Sequence, residues 1–215
     1  KARHKSYTPG PGILAVREAI CDKLKRENGL SYQPSQIVVS TGAKQSIANV
    51  ALALLQEGDE AVLITPYWVS YLTIAEMTGA NAVALAADIS NDFKVTAKQL
   101  KDCLNEKSKL VIFSSPCNPT GAVYTKSELE ALAEVLREFP NVYVISDEIY
   151  EHINFGAQHA SLASIDGMYE KTITINGFSK GYAMTGWRLG YLAAPEWIAK
   201  AAAKIQGQFT SGTCN

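Results

Sequence analysis

Apolar residues occur along the chain in two alternating patterns, short continuous runs and longer stripes of helical period. A stripe near the start repeats every three or four positions, at Ile13, Val16, Ile20 and Leu24. This period predicts a helix over residues 13–26, which the following Asn-Gly pair would end. The run QIVVS at 36–40 has no such period, and its β-branched residues predict a buried strand.

The same two patterns predict six further strands and five further helices. The strands are EAVLIT at 60–65, a segment near 82–86, KLVIFS at 109–114, VYVISD at 142–147, KTITIN at 171–176, and residues 188–193. The helices run from the Thr41-Gly42 turn to about 55, from about 69 to 77, over 96–104 with Thr96 as a cap, over 125–138 with a Thr-x-x-Glu capping box, and over 195–205.

Buried strands separated by helices predict an α/β fold. We expect three α/β/α layers around a mainly parallel seven-stranded sheet. No low-complexity tract or linker interrupts the pattern, so we expect one domain over residues 1–215.

Composition narrows the class of partner. The chain is 47% hydrophobic and 19% charged, with a net charge of −1, so we expect no nucleic-acid or membrane partner. No apolar run approaches the roughly 20 residues of a membrane span.

Four scattered cysteines and three isolated histidines indicate no metal site and the reduced thiols of a cytoplasmic protein. The chain begins with Lys1 and not with Met, so we expect it to be part of a longer protein.

Polar and aromatic residues follow five of the predicted strands. In a parallel sheet the carboxyl ends of the strands share one edge, where ligands bind. We therefore expect these residues to converge on one site. They are Thr41-Gly42-Ala43-Lys44, Pro66-Tyr67-Trp68, Asn118 in SSPCNPTG, Asp147 and Lys180.

Two features of this edge suit a bound anion. Gly42 stands at a strand-to-helix turn, where backbone amides can point at a phosphate. Arg188 could add a bidentate clamp, or else form an ordinary surface ion pair. The chain has neither G-x-G-x-x-G nor G-x-x-x-x-G-K-[ST], which argues against dinucleotides and nucleoside triphosphates.

An amine and an acid complete the candidate chemistry. Asp147 ends an apolar strand, so we expect its carboxylate to be desolvated, with capping of the next turn as the alternative. Lys180 could form an imine only as the neutral amine, which apolar walls and the nearby cation of Arg188 would favour. The small neighbours Gly177, Ser179 and Gly181 would let a cofactor approach this amine. Together these groups suit pyridoxal 5′-phosphate.

Several motifs, in order from Tyr7 to the end of the chain, resemble those of one enzyme family. They are YTPGPG, TGAKQ, PYWVSY, NPTGAVY, SDEIYEH and NGFSKGYAMTGWRLGY. The chain is similar to the class I aminotransferases, pyridoxal-phosphate enzymes of fold type I, and most similar to the bacterial-type aspartate aminotransferases. The resemblance implies that this chain is the large, cofactor-binding domain. An N-terminal arm and a C-terminal small domain, which holds the arginine for the substrate α-carboxylate, would lie outside it.

The resemblance implies a role for each residue around the cofactor ring. Lys180 matches the lysine that binds the aldehyde and shuttles the substrate proton. Asp147 matches the acid on the pyridine nitrogen, while Tyr150 and Asn118 match the pair at the ring oxygen. Trp68 matches the aromatic residue that stacks on the ring, and with Asn118 it would also face the substrate.

The phosphate side is implied in the same way. Gly42, Ala43 and Lys44 match the phosphate loop, and Arg188 matches the phosphate arginine. Tyr7 is similar to a tyrosine that reaches the phosphate of a neighbouring subunit, which implies a homodimer. In this branch Lys44 also binds the distal carboxylate of aspartate; the alternative is a lysine that touches only phosphate or solvent.

One position departs from the pattern of some family members. They have a serine three positions before the lysine as a phosphate donor, where this chain has Gly177. We expect Ser179 or a backbone amide to replace that hydroxyl.

The function implied is a ping-pong transfer of an amino group between aspartate and 2-oxoglutarate. Amino-acid and 2-oxo-acid substrates would be its partners. Three alternatives stay open. They are an aminotransferase for aromatic or neutral amino acids, a carbon–sulfur lyase of the same fold, and an effector-binding domain of a transcriptional regulator.

Overall fold

A computed structural model of the chain describes residues 6–214, which contain seven strands and six α-helices. The strands are β1 Ile37–Ser40, β2 Glu60–Thr65, β3 Asn81–Ala86, β4 Ser108–Ser114, β5 Tyr143–Asp147, β6 Thr172–Gly177 and β7 Gly190–Ala193. The helices are α1 Leu14–Asn28, α2 Ala43–Leu54, α3 Ser70–Glu76, α4 Ala97–Cys103, α5 Lys126–Glu138 and α6 Glu196–Phe209.

These elements confirm the predicted order and the α/β class. Most bounds agree within one or two residues, and both predicted caps form. Thr96 Oγ1 accepts the Gln99 amide, and Thr125 Oγ1 accepts the Glu128 amide, each at 3.2 Å. The last strand was predicted to begin at 188, but Arg188 has a left-handed φ of 53°, which is incompatible with a strand.

The sheet has the strand order β1-β7-β6-β5-β4-β2-β3. All neighbouring strands are parallel except β7, which is antiparallel to both β1 and β6. The carboxyl ends of the six parallel strands therefore share an edge with the amino end of β7. This topology brings Arg188, just before β7, to the same edge as Lys180, just after β6.

Helices cover both faces of the sheet and complete the three predicted layers. One apolar cluster packs α2, α3 and α6 on one face, and two clusters pack α1, α4 and α5 on the other. Val38 and Val39 of β1 belong to clusters on opposite faces, as the two-residue period of a strand requires. Within residues 6–214, no helix combines the length and apolar character that crossing a bilayer demands.

A buried polar side chain connects α6 to the end of β1. Gln206 is 0% exposed, and its Nε2 donates to the carbonyl oxygens of Gly10 (2.7 Å) and Val39 (2.8 Å). Asn49 Nδ2 on α2 donates to Gln206 Oε1 at 3.0 Å. These bonds fix α2, α6 and the segment before α1 around the end of β1.

Candidate functional site

A cavity of about 200 Å³ opens at the carboxyl edge of the sheet. It is lined by Ala43, Lys44, Trp68, Tyr71, Asn118, Asp147, Ile149, Tyr150, Ser179, Lys180, Thr185 and Arg188. The structure thus brings together all the predicted site residues except Gly42, which lies directly before Ala43, and Tyr7. Tyr7 is 95% exposed and does not line this cavity.

Asp147 is the buried acid of the cavity. It ends β5, is 4% exposed, and accepts hydrogen bonds from Tyr71 Oη (2.6 Å) and the Ile149 amide (3.2 Å). Burial raises the pKa of the Asp147 carboxyl to about 6, while these two hydrogen bonds oppose the rise. The carboxyl is desolvated, as predicted, and it also caps the following turn through Ile149.

A phenol and an amide stand beside the acid. Asn118 Nδ2 donates to Tyr150 Oη at 3.4 Å, so the two groups lie at one place on the wall. The ring centre of Tyr150 is 5.8 Å from Lys180 Nζ. An oxygen on a bound molecule could therefore accept from both Asn118 and Tyr150 while the amine of Lys180 remains within reach.

The surroundings of Lys180 differ from the prediction. The side chain is exposed, so residues 6–214 do not provide the expected apolar walls. The segment between β6 and β7 runs above the sheet edge and is itself largely exposed.

The glycines near Lys180 were predicted to let a cofactor approach its amine, but the structure gives another reason for their small size. A Cβ added to Gly177 would lie 2.7 Å from Gly190 Cα, and one added to Gly181 would lie 3.0 Å from His152 Cβ. Their small size therefore permits close packing within the protein and does not make room for a ligand. Ser179, the predicted substitute for the missing hydroxyl at Gly177, is 8% exposed and does line the cavity.

An anion cradle forms where α2 begins. Its first turn contains no acidic residue and no side-chain cap, which leaves amide donors free beside Gly42. Arg188 donates to the carbonyl oxygens of Thr185 (3.0 Å) and, at 3.4 Å, Thr41. Among residues 6–214 no acidic side chain lies within ion-pair distance of Arg188, so the alternative of a surface ion pair does not form there.

Lys44 and Trp68 line the same cavity and contact each other. Lys44 Nζ lies 4.8 Å from the centre of the Trp68 ring, in a cation–π contact. The edge of Trp68 in turn meets Tyr71, with ring centres 5.6 Å apart and planes at 90°. The three side chains form one contact series along the lining of the cavity.

A buried polar cluster supports the segment that carries Asp147. Glu148 is 1% exposed and accepts hydrogen bonds from Ser161 Oγ (2.7 Å) and Ser146 Oγ (2.9 Å). His159 Nε2 lies 3.0 Å from its other oxygen. Burial alone would lower the pKa of His159, but the Glu148 carboxylate raises it above its usual value. These contacts connect Glu148, the residue after Asp147, to the segment around His159 and Ser161.

Sequence reasoning missed three of the cavity residues. Ile149 and Thr185 carried no chemical signal. Tyr71 did, because it is a hydrogen-bonding aromatic residue three positions after Trp68, itself a predicted site residue. The motif PYWVSY contained this tyrosine, but nothing in the sequence showed that it would reach Asp147.

The set of donors fits a particular kind of cofactor. A cationic cradle at Arg188 suits a phosphate, and a buried acid suits a protonated ring nitrogen. The amine of Lys180 suits an aldehyde. Phosphate, ring nitrogen and aldehyde are all polar groups of pyridoxal 5′-phosphate, so the residues fit the cofactor predicted from the sequence.

Comparison with known proteins gives relatives over nearly the whole chain. A bifunctional aspartate aminotransferase and glutamate/aspartate-prephenate aminotransferase of Petunia hybrida is 53% identical over 97% of this chain. An aspartate aminotransferase of Pinus pinaster is 50% identical over 96%. The chain covers 44% and 42% of these proteins, so it spans slightly less than half of their length.

Solved structures agree with this relationship. The aspartate aminotransferase of Rhizobium meliloti superposes with a TM-score of 0.95 at 40% identity, over 97% of this chain and 52% of that one. An aromatic aminotransferase of Pyrococcus horikoshii gives 0.94 at 43% identity, over 97% and 56%. The family model described as aminotransferase class I and II matches residues 2–215. On this match and these superpositions, the chain belongs to the family of class I and II aminotransferases.

Proposed function

We propose that the protein is a pyridoxal-phosphate-dependent aminotransferase that moves an amino group between aspartate and 2-oxoglutarate, and that this chain is its cofactor-binding domain. One observation carries the proposal: an amine, a buried acid and an anion cradle surround a single cavity. They come from Lys180, Asp147 and Arg188, on three separate segments. The matching family is described as aminotransferases, and the Petunia relative is named as one, which supports the same reaction.

In this proposal, different residues of the cavity bind different parts of the cofactor. Arg188 and the amino end of α2 hold the phosphate, and Asp147 keeps a proton on the ring nitrogen. Asn118 and Tyr150 donate to the ring oxygen, and Trp68 packs against the ring face. The cofactor supplies an electron-withdrawing ring, which stabilises negative charge at the substrate Cα.

Lys180 has two functions in this scheme. Its Nζ would be the group that holds the aldehyde of the cofactor before the substrate binds. As a free amine, Lys180 would then be the base that takes the proton from the substrate Cα and returns it. The first oxo acid leaves before the second binds, which makes the reaction ping-pong.

Borohydride reduction tests the central assignment. It should fix the cofactor on the peptide that contains Lys180, and a label on any other lysine would overturn the proposal. Lys180→Ala should abolish rapid transamination. The control is Lys98→Ala, which removes a lysine that is 83% exposed and paired with Asp102 on the surface.

The preference for aspartate rests on Lys44. Its ammonium group lines the cavity, where it could meet a second carboxylate, and aspartate appears in the names of the relatives. Lys44→Ala should lower kcat/KM for aspartate by roughly 10–100-fold, the loss expected for a bond to a charged group, and should change that for alanine much less. Equal losses for both substrates would limit Lys44 to the phosphate or solvent.

A second acceptor deserves a test, because the names of the Petunia relative and of a Cereibacter sphaeroides relative, 45% identical, include prephenate. Half-reactions with prephenate and 2-oxoglutarate would show whether the protein uses both. Half-reactions with aspartate, alanine, phenylalanine and cystathionine would distinguish the proposed specificity from an aromatic or neutral aminotransferase and from a carbon–sulfur lyase.

We also propose a cytoplasmic homodimer in which Tyr7 reaches the site of the second subunit. Tyr7 is 95% exposed and available for such a contact. All four cysteines are free thiols, as expected in a reducing compartment. Sedimentation of the full-length protein, followed by cofactor binding to Tyr7→Phe, would test the dimer and the shared site separately.

A further inference from the structure

Asp147 has one side-chain hydrogen-bond donor among residues 6–214, the phenol of Tyr71. The bond is 2.6 Å long, and Tyr71 is 1% exposed, so water does not compete for either group. Tyr71 lies on α3, whereas Asp147 ends β5, so the contact joins two elements. It also joins the acid to Trp68, whose ring meets Tyr71 edge-on.

The direction of this hydrogen bond is set by the phenol. Burial, followed by the charge of Asp147, raises the pKa of Tyr71 well above its usual value, so the tyrosine keeps its proton and donates it. A donated O–H stabilises a carboxylate more than a carboxylic acid. The contact therefore opposes the tendency of a buried acid to become neutral.

Other charged groups near Tyr71 and Asp147 also affect the ionisation of Asp147, some favouring the carboxylate and some the protonated acid. Glu148, next in the chain, favours the protonated form of Asp147, whereas Lys180, across the cavity, favours the ionised form. Cys117 faces the phenol. Burial raises the pKa of Asp147 to about 6, closer to neutral pH than that of a free aspartate. Loss of one strong donor would raise this pKa further and favour the protonated form.

We propose that Tyr71 is a positioning residue: its hydroxyl keeps Asp147 ionised and fixes one carboxylate oxygen, so that the acid can hold a proton on the ring nitrogen of the cofactor. The part that concerns the ring nitrogen rests on the proposed function. The part that concerns the charge of Asp147 does not, and it can be measured without any cofactor.

The test is an infrared titration of Asp147 in the full-length, cofactor-free protein. A protonated buried acid has a carbonyl stretch that a carboxylate lacks, and Asp147→Asn identifies the band by removing it. Tyr71→Phe keeps the ring but loses the donor, and the midpoint should rise by about one to two pH units. Tyr67→Phe is the matched control, because its ring lies 6.5 Å from that of Tyr71 and its hydroxyl does not bond to Asp147.

A second variant should shift the titration midpoint of Asp147 in the opposite direction. Incorporation of 3-fluorotyrosine at position 71 makes the phenol a better donor with little change of shape, so the midpoint should fall. A tyrosine that served only in packing would leave the midpoint unchanged in both variants, and that result would overturn the proposal. Urea unfolding of each variant verifies that the titrated protein is folded.

Cofactor binding completes the test. Tyr71→Phe should weaken the binding of pyridoxal phosphate about tenfold or more, whereas Tyr67→Phe should not. An unchanged affinity would refute the role toward the ring nitrogen. Failure of borohydride to label Lys180 would instead refute the proposed function, while a shifted Asp147 midpoint would still support the contact with Tyr71.

Discussion

Replacement of Gly42 by alanine is the sharpest probe of the anion cradle. Gly42 precedes α2 with φ 85° and ψ 159°, a conformation that residues with a side chain rarely adopt. An added Cβ would also overlap Nη2 of Arg188 and would lie 3.0 Å from its Cζ. The substitution should therefore strain the backbone and push the guanidinium group away from the helix end.

The two effects have different sizes and different readouts. Backbone strain of this kind costs on the order of 1–3 kcal/mol, which urea unfolding of the full-length protein would detect. A displaced guanidinium loses a charge-assisted bond to phosphate, worth about 1.5–3 kcal/mol. That loss corresponds to roughly 10–100-fold weaker binding of pyridoxal phosphate.

Gly58→Ala separates the two effects. Gly58 has φ 91°, but no atom outside its neighbours lies within 4 Å of an added Cβ. The Gly58→Ala variant should therefore lose stability without losing affinity for pyridoxal phosphate. Pyridoxal, which lacks the phosphate, should bind equally to both variants. If Gly42→Ala kept its affinity for pyridoxal phosphate, or if Gly58→Ala lost as much, Arg188 and the start of α2 would not form the phosphate site.

Three other substitutions test the surrounding structure. Gly177→Ser should destabilise the protein by about 1–3 kcal/mol in urea unfolding without improving phosphate binding, because its Cβ would meet Gly190; unchanged stability would contradict this packing. Burial raises the pKa of Asp147 from 3.8 to about 6, so the folded protein binds this proton more tightly than the unfolded chain and loses stability as pH rises through that window. In the cofactor-free protein, Asp147→Asn should therefore gain about 3 kcal/mol relative to the wild type as the pH rises from below 3.8 to above 6, at about 1.36 kcal/mol per unit of difference between these two pKa values, and parallel pH profiles would refute the assignment. Gln206→Leu leaves Asn49 and two carbonyl groups unpaired and should cost about 3 kcal/mol or more in urea unfolding, whereas a smaller loss on a background of Asn49→Leu would confirm the coupling.

Local patterns in the sequence were sufficient to predict the elements and the residues at their ends. Period and capping located the helices, as the boxes at Thr96 and Thr125 show. A parallel sheet then implied that Asn118, Asp147 and Lys180 would share an edge. These inferences need only neighbouring residues and one general rule of topology.

Contacts between distant elements could not be predicted in this way. The antiparallel direction of β7 and its insertion between β1 and β6 depend on the whole sheet. The bond from Tyr71 to Asp147 spans 76 positions, and the close approach of Gly177 to Gly190 depends on strand pairing. For the same reason, the glycines near Lys180 suggested space for a ligand, whereas in the fold they accommodate other parts of the protein.

The antiparallel pairing of β6 and β7 also limits how the site can change. Gly177 and Gly190 are opposite each other in the register, and the connection between them contains both Lys180 and Arg188. The residues proposed to bind the aldehyde and the phosphate thus lie on one loop, and strand pairing fixes both ends of that loop. Insertions or deletions in that loop would change the distance between them without disturbing the sheet.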